Sequence, residues 1–141
     1  MKTTVSRSSR FAVLLPVLLA AVISCQKPDR GSEFIRGERA AYEFVLEDVD
    51  SLALYDISLY TSPKTMNVSA PASLPLEVRW VSEESDIYVE RVVMEVSSRR
   101  QPYREGVLFP LGGRWRLVIY PQDGADAING LGITWRRYGT R

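Results

Sequence analysis

From Ala40 onward, apolar and polar residues alternate in short runs separated by turn residues, the period-two pattern of strands with one face on a core. Ala40-Tyr42-Phe44-Leu46 alternate with Ala41 and Glu43, and Asp48-Val49-Asp50 ends the run. The next run, Leu52 to Tyr60, puts Tyr55, Ile57 and Leu59 on one face and Asp56 and Ser58 on the other. Residues 61–73, rich in Thr, Ser, Ala and Pro, read as a loop or crossover. Leu74-Leu76-Val78-Trp80 then alternate with Glu77 and Arg79 as the cleanest inward row, with Pro75 restricting that strand's start to an edge or first position. Residues 86–97 predict a long strand with Tyr88, Val92, Met94 and Val96 on one face. A helix competes over Val89 to Ser97, but the density of β-branched residues favours a strand.

Val107 to Phe109 leads through Pro110 and Gly112-Gly113 into Trp115-Leu117-Ile119, a candidate hairpin. Pro121 to Gly124 is a turn. The last strand, Ile128 to Tyr138, carries Leu131, Ile133 and Trp135 on one side, and Gly130 and Gly132 on the other, where another backbone or side chain packs closely. Seven or eight strands, no convincing helix and one core predict a single antiparallel β-sandwich over residues 40–141. The predicted core includes Phe44, Ile57, Leu76, Val78, Trp80, Leu117, Ile119 and Ile133.

The first 39 residues follow a different pattern. A positive leader with Lys2, Arg7 and Arg10 precedes an apolar stretch from Phe11 to Ile23, then Ser24 and Cys25, the only cysteine in the chain. A membrane span needs about 20 apolar residues, and this run stops well short, with Gln26-Lys27-Pro28-Asp29-Arg30-Gly31 directly after it. The three parts are those of an export signal, and they resemble a bacterial lipoprotein signal peptide more closely than a plain secretory one. That resemblance implies removal of residues 1–24, diacylglyceryl transfer to the Cys25 thiol, and acylation of its new amino group. Gln26, rather than Asp, after the cysteine implies the outer membrane in Gram-negative lipoproteins. Residues 25–39, with Pro28, Gly31, Gly37 and alternating charges, read as the lipidated cysteine and a tether.

Removing residues 1–24 takes away three of the 18 basic residues and none of the 17 acidic ones, which leaves a net charge of about −2. A nucleic-acid binder needs a basic face, and the interleaved Glu77-Val78-Arg79 and Glu90-Arg91 argue against one. The chain has no histidine, which excludes Ser-His-Asp and Cys-His nucleophile arrangements and the usual His/Cys zinc sites. No cofactor is expected. Glu83, Glu84 and Asp86 lack the spacing of a calcium loop and read as a solvated hairpin tip. The Gly112-Gly113 and Gly130/Gly132 pieces lack the strand-turn-helix context of phosphate-binding loops. An enzymatic reading rests only on unpaired carboxylates such as Glu90 and Glu105, so no catalytic activity is expected.

Tyr42-Glu43-Phe44, Tyr55-Asp56-Ile57-Ser58-Leu59, Leu74-Pro75-Leu76, Tyr88, Tyr103-Arg104, Gly113-Arg114-Trp115-Arg116-Leu117-Val118-Ile119 and Ile128-Asn129-Gly130-Leu131-Gly132-Ile133, behind a lipid-accepting Cys25, form a recognisable order. It resembles the gliding-motility lipoprotein H family of Bacteroidota-type bacteria. The resemblance implies an accessory lipoprotein of the cell envelope, held at the outer membrane beside gliding or secretion machinery, with protein partners and no catalytic residue to carry over. The alternative is a glycan-binding sandwich that stacks sugars on aromatics. All three tryptophans share rows with aliphatics and are expected in the core. Tyr60, Tyr103 and Tyr138 at strand ends are then the candidate ligand or partner contacts. Arg136 and Arg137 start a basic tail, most simply a solvated end, with anionic headgroups or an acidic partner as the sharper option.

Overall fold

The computed structural model describes residues 28–65 and 72–140; Cys25 and the segment read as an export signal lie outside the described residues. The chain forms eight strands, β1 (Arg30–Arg36), β2 (Tyr42–Val49), β3 (Ala53–Pro63), β4 (Ser73–Ser82), β5 (Ile87–Glu95), β6 (Gln101–Val107), β7 (Gly113–Pro121) and β8 (Ile128–Thr140), with a 3-10 turn at Ala125–Ala127 before β8. They make two antiparallel four-stranded sheets packed face to face, a β-sandwich. The first has the order β1-β8-β3-β6 and the second β2-β7-β4-β5. Only β4 and β5 are joined as neighbours within one sheet; the other connections pass from one sheet to the other.

The alternating rows dictate this packing. Tyr55, Ile57 and Leu59 on β3 face Leu74, Leu76 and Val78 on β4 across the core, with Phe44 from β2, Leu117 and Ile119 from β7 and Ile133 from β8, all buried. Each such side chain contributes roughly 1.5–3 kcal/mol relative to exposure. The eight predicted core residues are all buried. Buried tyrosines keep a polar partner: the Tyr42 hydroxyl donates to the Gly37 carbonyl at 2.7 Å and accepts the Arg39 N–H at 3.2 Å, and burial raises its pKa. Thr61, buried at the end of β3, exchanges side-chain bonds with the Ser97 backbone at 3.0 and 2.9 Å.

The glycines of β8 lie beneath aromatic rings. A Cβ at Gly132 would overlap the Tyr60 ring, and one at Gly130 would overlap Phe34 and approach the Ile35 carbonyl at 2.7 Å. The close approach expected at both positions is present. The acidic turn Glu83, Glu84 and Asp86 is the tip of the β4–β5 hairpin, closed by Ser85 N–H to the Ser82 carbonyl at 3.1 Å with Ser85 in the left-handed region at φ 66°.

Three expectations need correction. The tether reading of 25–39 fails at Arg30–Arg36, which is strand β1, paired with β8 in unbroken register from Arg30↔Arg136 to Arg36↔Gly130. It is held by backbone pairing and by the Trp135 indole lying on Gly31, where a Cβ would come within 2.5 Å. The expected break at Asp48-Val49-Asp50 is where β2 ends: Asp48 takes φ 51° inside a bulge, and Val49 makes the last pair, with Gly113. The segment from Val107 to Trp115 is not a hairpin, because β6 belongs to the first sheet and β7 to the second. Buried Phe109 packs between Trp80, Trp115 and Tyr55 and directs the chain across the sandwich. Pro75 sits in a central strand, near its start. Its carbonyl accepts the Gln122 N–H at 2.9 Å where the pairing with β7 ends, so its missing donor falls beyond that ladder.

Candidate functional site

Strand parity assigns the expected contact residues to different faces. Tyr60, Arg136 and Tyr138 stand on the outer face of the first sheet, opposite the rows of Ile57, Leu59 and Ile133. Tyr103 and Arg137 do not join them. Tyr103, half-buried, stacks on Trp80 with centroids 6.1 Å apart and planes at 6°. Its hydroxyl accepts the Trp80 indole N–H at 2.9 Å and donates to the Glu90 carboxylate, which also pairs Arg104. A strand-end tyrosine is thus spent on bridging β4, β5 and β6. Arg137 ends the inward row of β8 and pairs Asp29 at 3.0 Å, which ties the N-terminal segment to β8. Trp135 is half-buried against the core, while Trp80 and Trp115 are inside it.

The outer face of the first sheet is a shallow groove of about 670 Å³. Its floor is a row of hydroxyls, Ser32, Thr134 and Ser58, brought level by the β1–β8 and β8–β3 registers. Arg30, Arg100, Arg104 and Arg136 line it with Asp56 and Glu105. At one end Phe34 and Tyr60 stack at 5.7 Å and 15° over the glycines of β8, with the Arg100 guanidinium 5.9 Å from the Tyr60 ring centroid.

At the other end Asp56 accepts the Gly106 N–H, the Tyr138 hydroxyl and an Arg136 N–H, each at 2.9 Å. The Gly106 N–H, foremost, together with Arg136 and Tyr138, holds the Asp56 carboxyl below its ordinary value. The same carboxylate raises the Tyr138 pKa. A depressed carboxyl stabilises the fold above its unfolded value of about 3.9 and loses that contribution as pH falls through the folded value. Comparing Asp56→Asn with the unsubstituted protein by urea unfolding is therefore expected to show a stability gap at neutral pH that closes on acidification below about pH 4. A gap that stays level or widens would contradict this assignment.

A second feature lies on the edge of the other sheet. Of eight large apolar side chains exposed among the described residues, Ile87, Tyr88, Val89 and Val93 belong to β5 and Leu108 is close by. A small apolar cavity of about 190 Å³ opens there between β5 and the β6–β7 crossing, walled by Tyr88, Trp80, Leu108, Phe109, Pro110 and Trp115. Glu90, expected as an unpaired carboxylate outside the inward row of β5, occupies that row between Tyr88 and Val92, is paired by Tyr103 and Arg104, and anchors the wall beside the cavity. Strict alternation along Tyr88-x-Glu90-x-Val92-x-Met94 was the signal for it.

Among the described residues no group of three or more Asp, Glu, His or Cys side chains is placed to hold a metal ion. The chain matches no protein-family model, and a search of curated proteins returns no match.

Proposed function

We propose that this protein is a lipid-anchored accessory protein of the cell envelope, held at the outer membrane through acylated Cys25 and docking other envelope proteins, in the manner expected of the gliding-motility lipoprotein H family. The observation that carries the docking role is the concentration of exposed apolar side chains on and beside β5. Exposed apolar clusters of this kind mark protein contact surfaces rather than solvated faces. The lipid anchor rests on the basic leader, the short apolar run and the single cysteine at its end.

The glycan reading is favoured by a different observation, the hydroxyl-floored groove with the Phe34–Tyr60 platform. One experiment separates the two. A sugar seated in the groove is read directly by titration calorimetry, whereas a partner on β5 is captured by cross-linking in intact envelopes. The expected result is no saturable heat of binding across a panel of neutral and acidic polysaccharides, with cross-links from β5 to a protein. Saturable sugar binding lost in Tyr60→Ala or Tyr138→Ala would reverse the assignment.

A further inference from the structure

We propose that the free edge of β5 receives an extended segment of a partner protein as an added strand, with one of its apolar side chains seated in the cavity walled by Tyr88, Leu108 and Phe109. This rests on the accessory reading above and specifies how the partner is held.

The phase of the β4–β5 ladder fixes which backbone groups are open. Ser82 N–H bonds the Asp86 carbonyl at 3.0 Å and Val96 N–H bonds the Ala72 carbonyl at 2.8 Å. In an antiparallel pair, bonded and non-bonded residues alternate, so the even-numbered residues of β5 bond β4. The odd ones, Ile87, Val89, Arg91, Val93 and Glu95, point their N–H and C=O away from it. Only Glu95 is closed: the Gln101 side-chain amide accepts its N–H at 2.9 Å and donates to its carbonyl at 2.8 Å. That amide stands where a peptide group of a next strand would stand, so the edge already has the geometry of a paired one. From Ile87 to Val93 the outward groups have no partner among the described residues.

The other three edges carry the usual protections against pairing. β1 turns Glu33 toward the inner side and bears Arg30 and Arg36. β2 is bulged at Glu47-Asp48, and β6 has Pro102 and two register breaks. β5 pairs β4 over nine residues without a break, and its outward row shows Ile87, Val89 and Val93 at 60, 56 and 70% exposure. The single charge in the middle of that row, Arg91, is 81% exposed in its side chain and has only a 3.8 Å contact with Glu77. An acidic residue of the segment is its complement.

Added strands take affinity from the main chain and specificity from alternate side chains. Side chains on the inner side of an incoming segment meet the cavity; those on the outer side meet Ile87, Val89 and Val93. A second copy of this chain fits poorly. Antiparallel two-fold pairing that uses the whole open edge, Ile87 against Val93 and Val89 against Arg91, places Val89 rather than a carboxylate opposite Arg91 and leaves that exposed charge without its complement.

The test uses the full-length protein in its own envelopes, with a photo-reactive residue replacing Val93, and mass spectrometry of what is captured. Val89→Pro removes one outward donor but none of the bonds to β4, and Val89→Lys charges the same edge without touching the backbone. The expected result is one recurrent partner segment with alternating apolar residues, and capture reduced at least tenfold by either variant while Tyr60→Ala leaves it intact. Hydrogen exchange with a synthetic peptide of the captured segment should slow at Ile87, Val89, Arg91 and Val93. Should Val89→Pro unfold the domain, Val89→Lys decides. A captured envelope protein insensitive to both variants would overturn strand addition and leave the accessory reading standing. Cross-links from this chain to itself would replace the partner with a second copy, and capture of no protein from any face would overturn both readings.

Discussion

Replacing Trp115 by Ala is expected to destabilise the domain by about 3–5 kcal/mol, the usual cost of removing a fully buried large aromatic. Trp115 is 1% exposed. Its ring packs on Phe109 and Tyr88 at centroid distances of 5.3 and 6.1 Å, and its indole N–H bonds the Leu111 carbonyl at 2.9 Å. The substitution therefore opens a cavity where the β6–β7 crossing rests on β7 and leaves a carbonyl without its donor. Domains of this size have roughly 5–15 kcal/mol in total, so the loss is a large fraction, equivalent to about 12–20 °C in the melting temperature. Thermal and urea unfolding followed by circular dichroism checks it, and a loss under about 1 kcal/mol would mean the crossing does not depend on that ring. Trp80, 8% exposed and bonded to Tyr103, should behave similarly when cut to Ala.

Cys25→Ala is expected to leave the sandwich folded and move the protein from the membrane fraction to the supernatant. Cys25 precedes by five residues the first described strand, whose pairing with β8 runs from Arg30 to Arg36. Among the described residues no helix is long and apolar enough to cross a membrane. Each buried methylene is worth about 0.8 kcal/mol, and one chain alone binds only marginally, so a stable hold through this residue requires several acyl chains. Fractionation after a high-salt wash, with unfolding of the released protein as a control, gives the answer. Uncut precursor is expected to accumulate. A variant that stays in the washed pellet in mature form would show that another attachment holds the chain.

The strands that the sequence made legible are those whose rows alternate cleanly against a core. β3, β4 and β8 follow directly from Tyr55-x-Ile57-x-Leu59, Leu74-x-Leu76-x-Val78-x-Trp80 and Leu131-x-Ile133-x-Trp135, and two glycines lying among such residues signalled a close approach by another part of the chain. β1 was hidden because Phe34 and Ile35 are neighbours on opposite faces, so no apolar row forms. Its stability comes from the β8 ladder and the Gly31–Trp135 contact, which are long-range facts. β6, Gln101–Val107, is obscured by Pro102, Gly106 and three charged or amide side chains. The false hairpin at Gly112-Gly113 has correct turn chemistry but the wrong partner, because Phe109 prefers the space between the sheets.

The candidate surfaces were half legible. Tyr60 and Arg136 share the groove, yet the groove exists only through register, which aligns Ser32, Thr134 and Ser58 from three strands. Tyr103 looked free because its partners, Trp80 and Glu90, lie 23 and 13 residues away. The open edge of β5 depends on which strand fails to pair with it, something no local pattern contains.

The mass of the N-terminal peptide of the protein recovered from membranes tests the lipid anchor most directly. The expected chain begins at Cys25 and carries a thioether-linked diacylglyceryl group with a further acyl chain on the amino group. A chain that begins at Met1, or one that bears an unmodified Cys25 thiol while still sedimenting with the membrane, would contradict it.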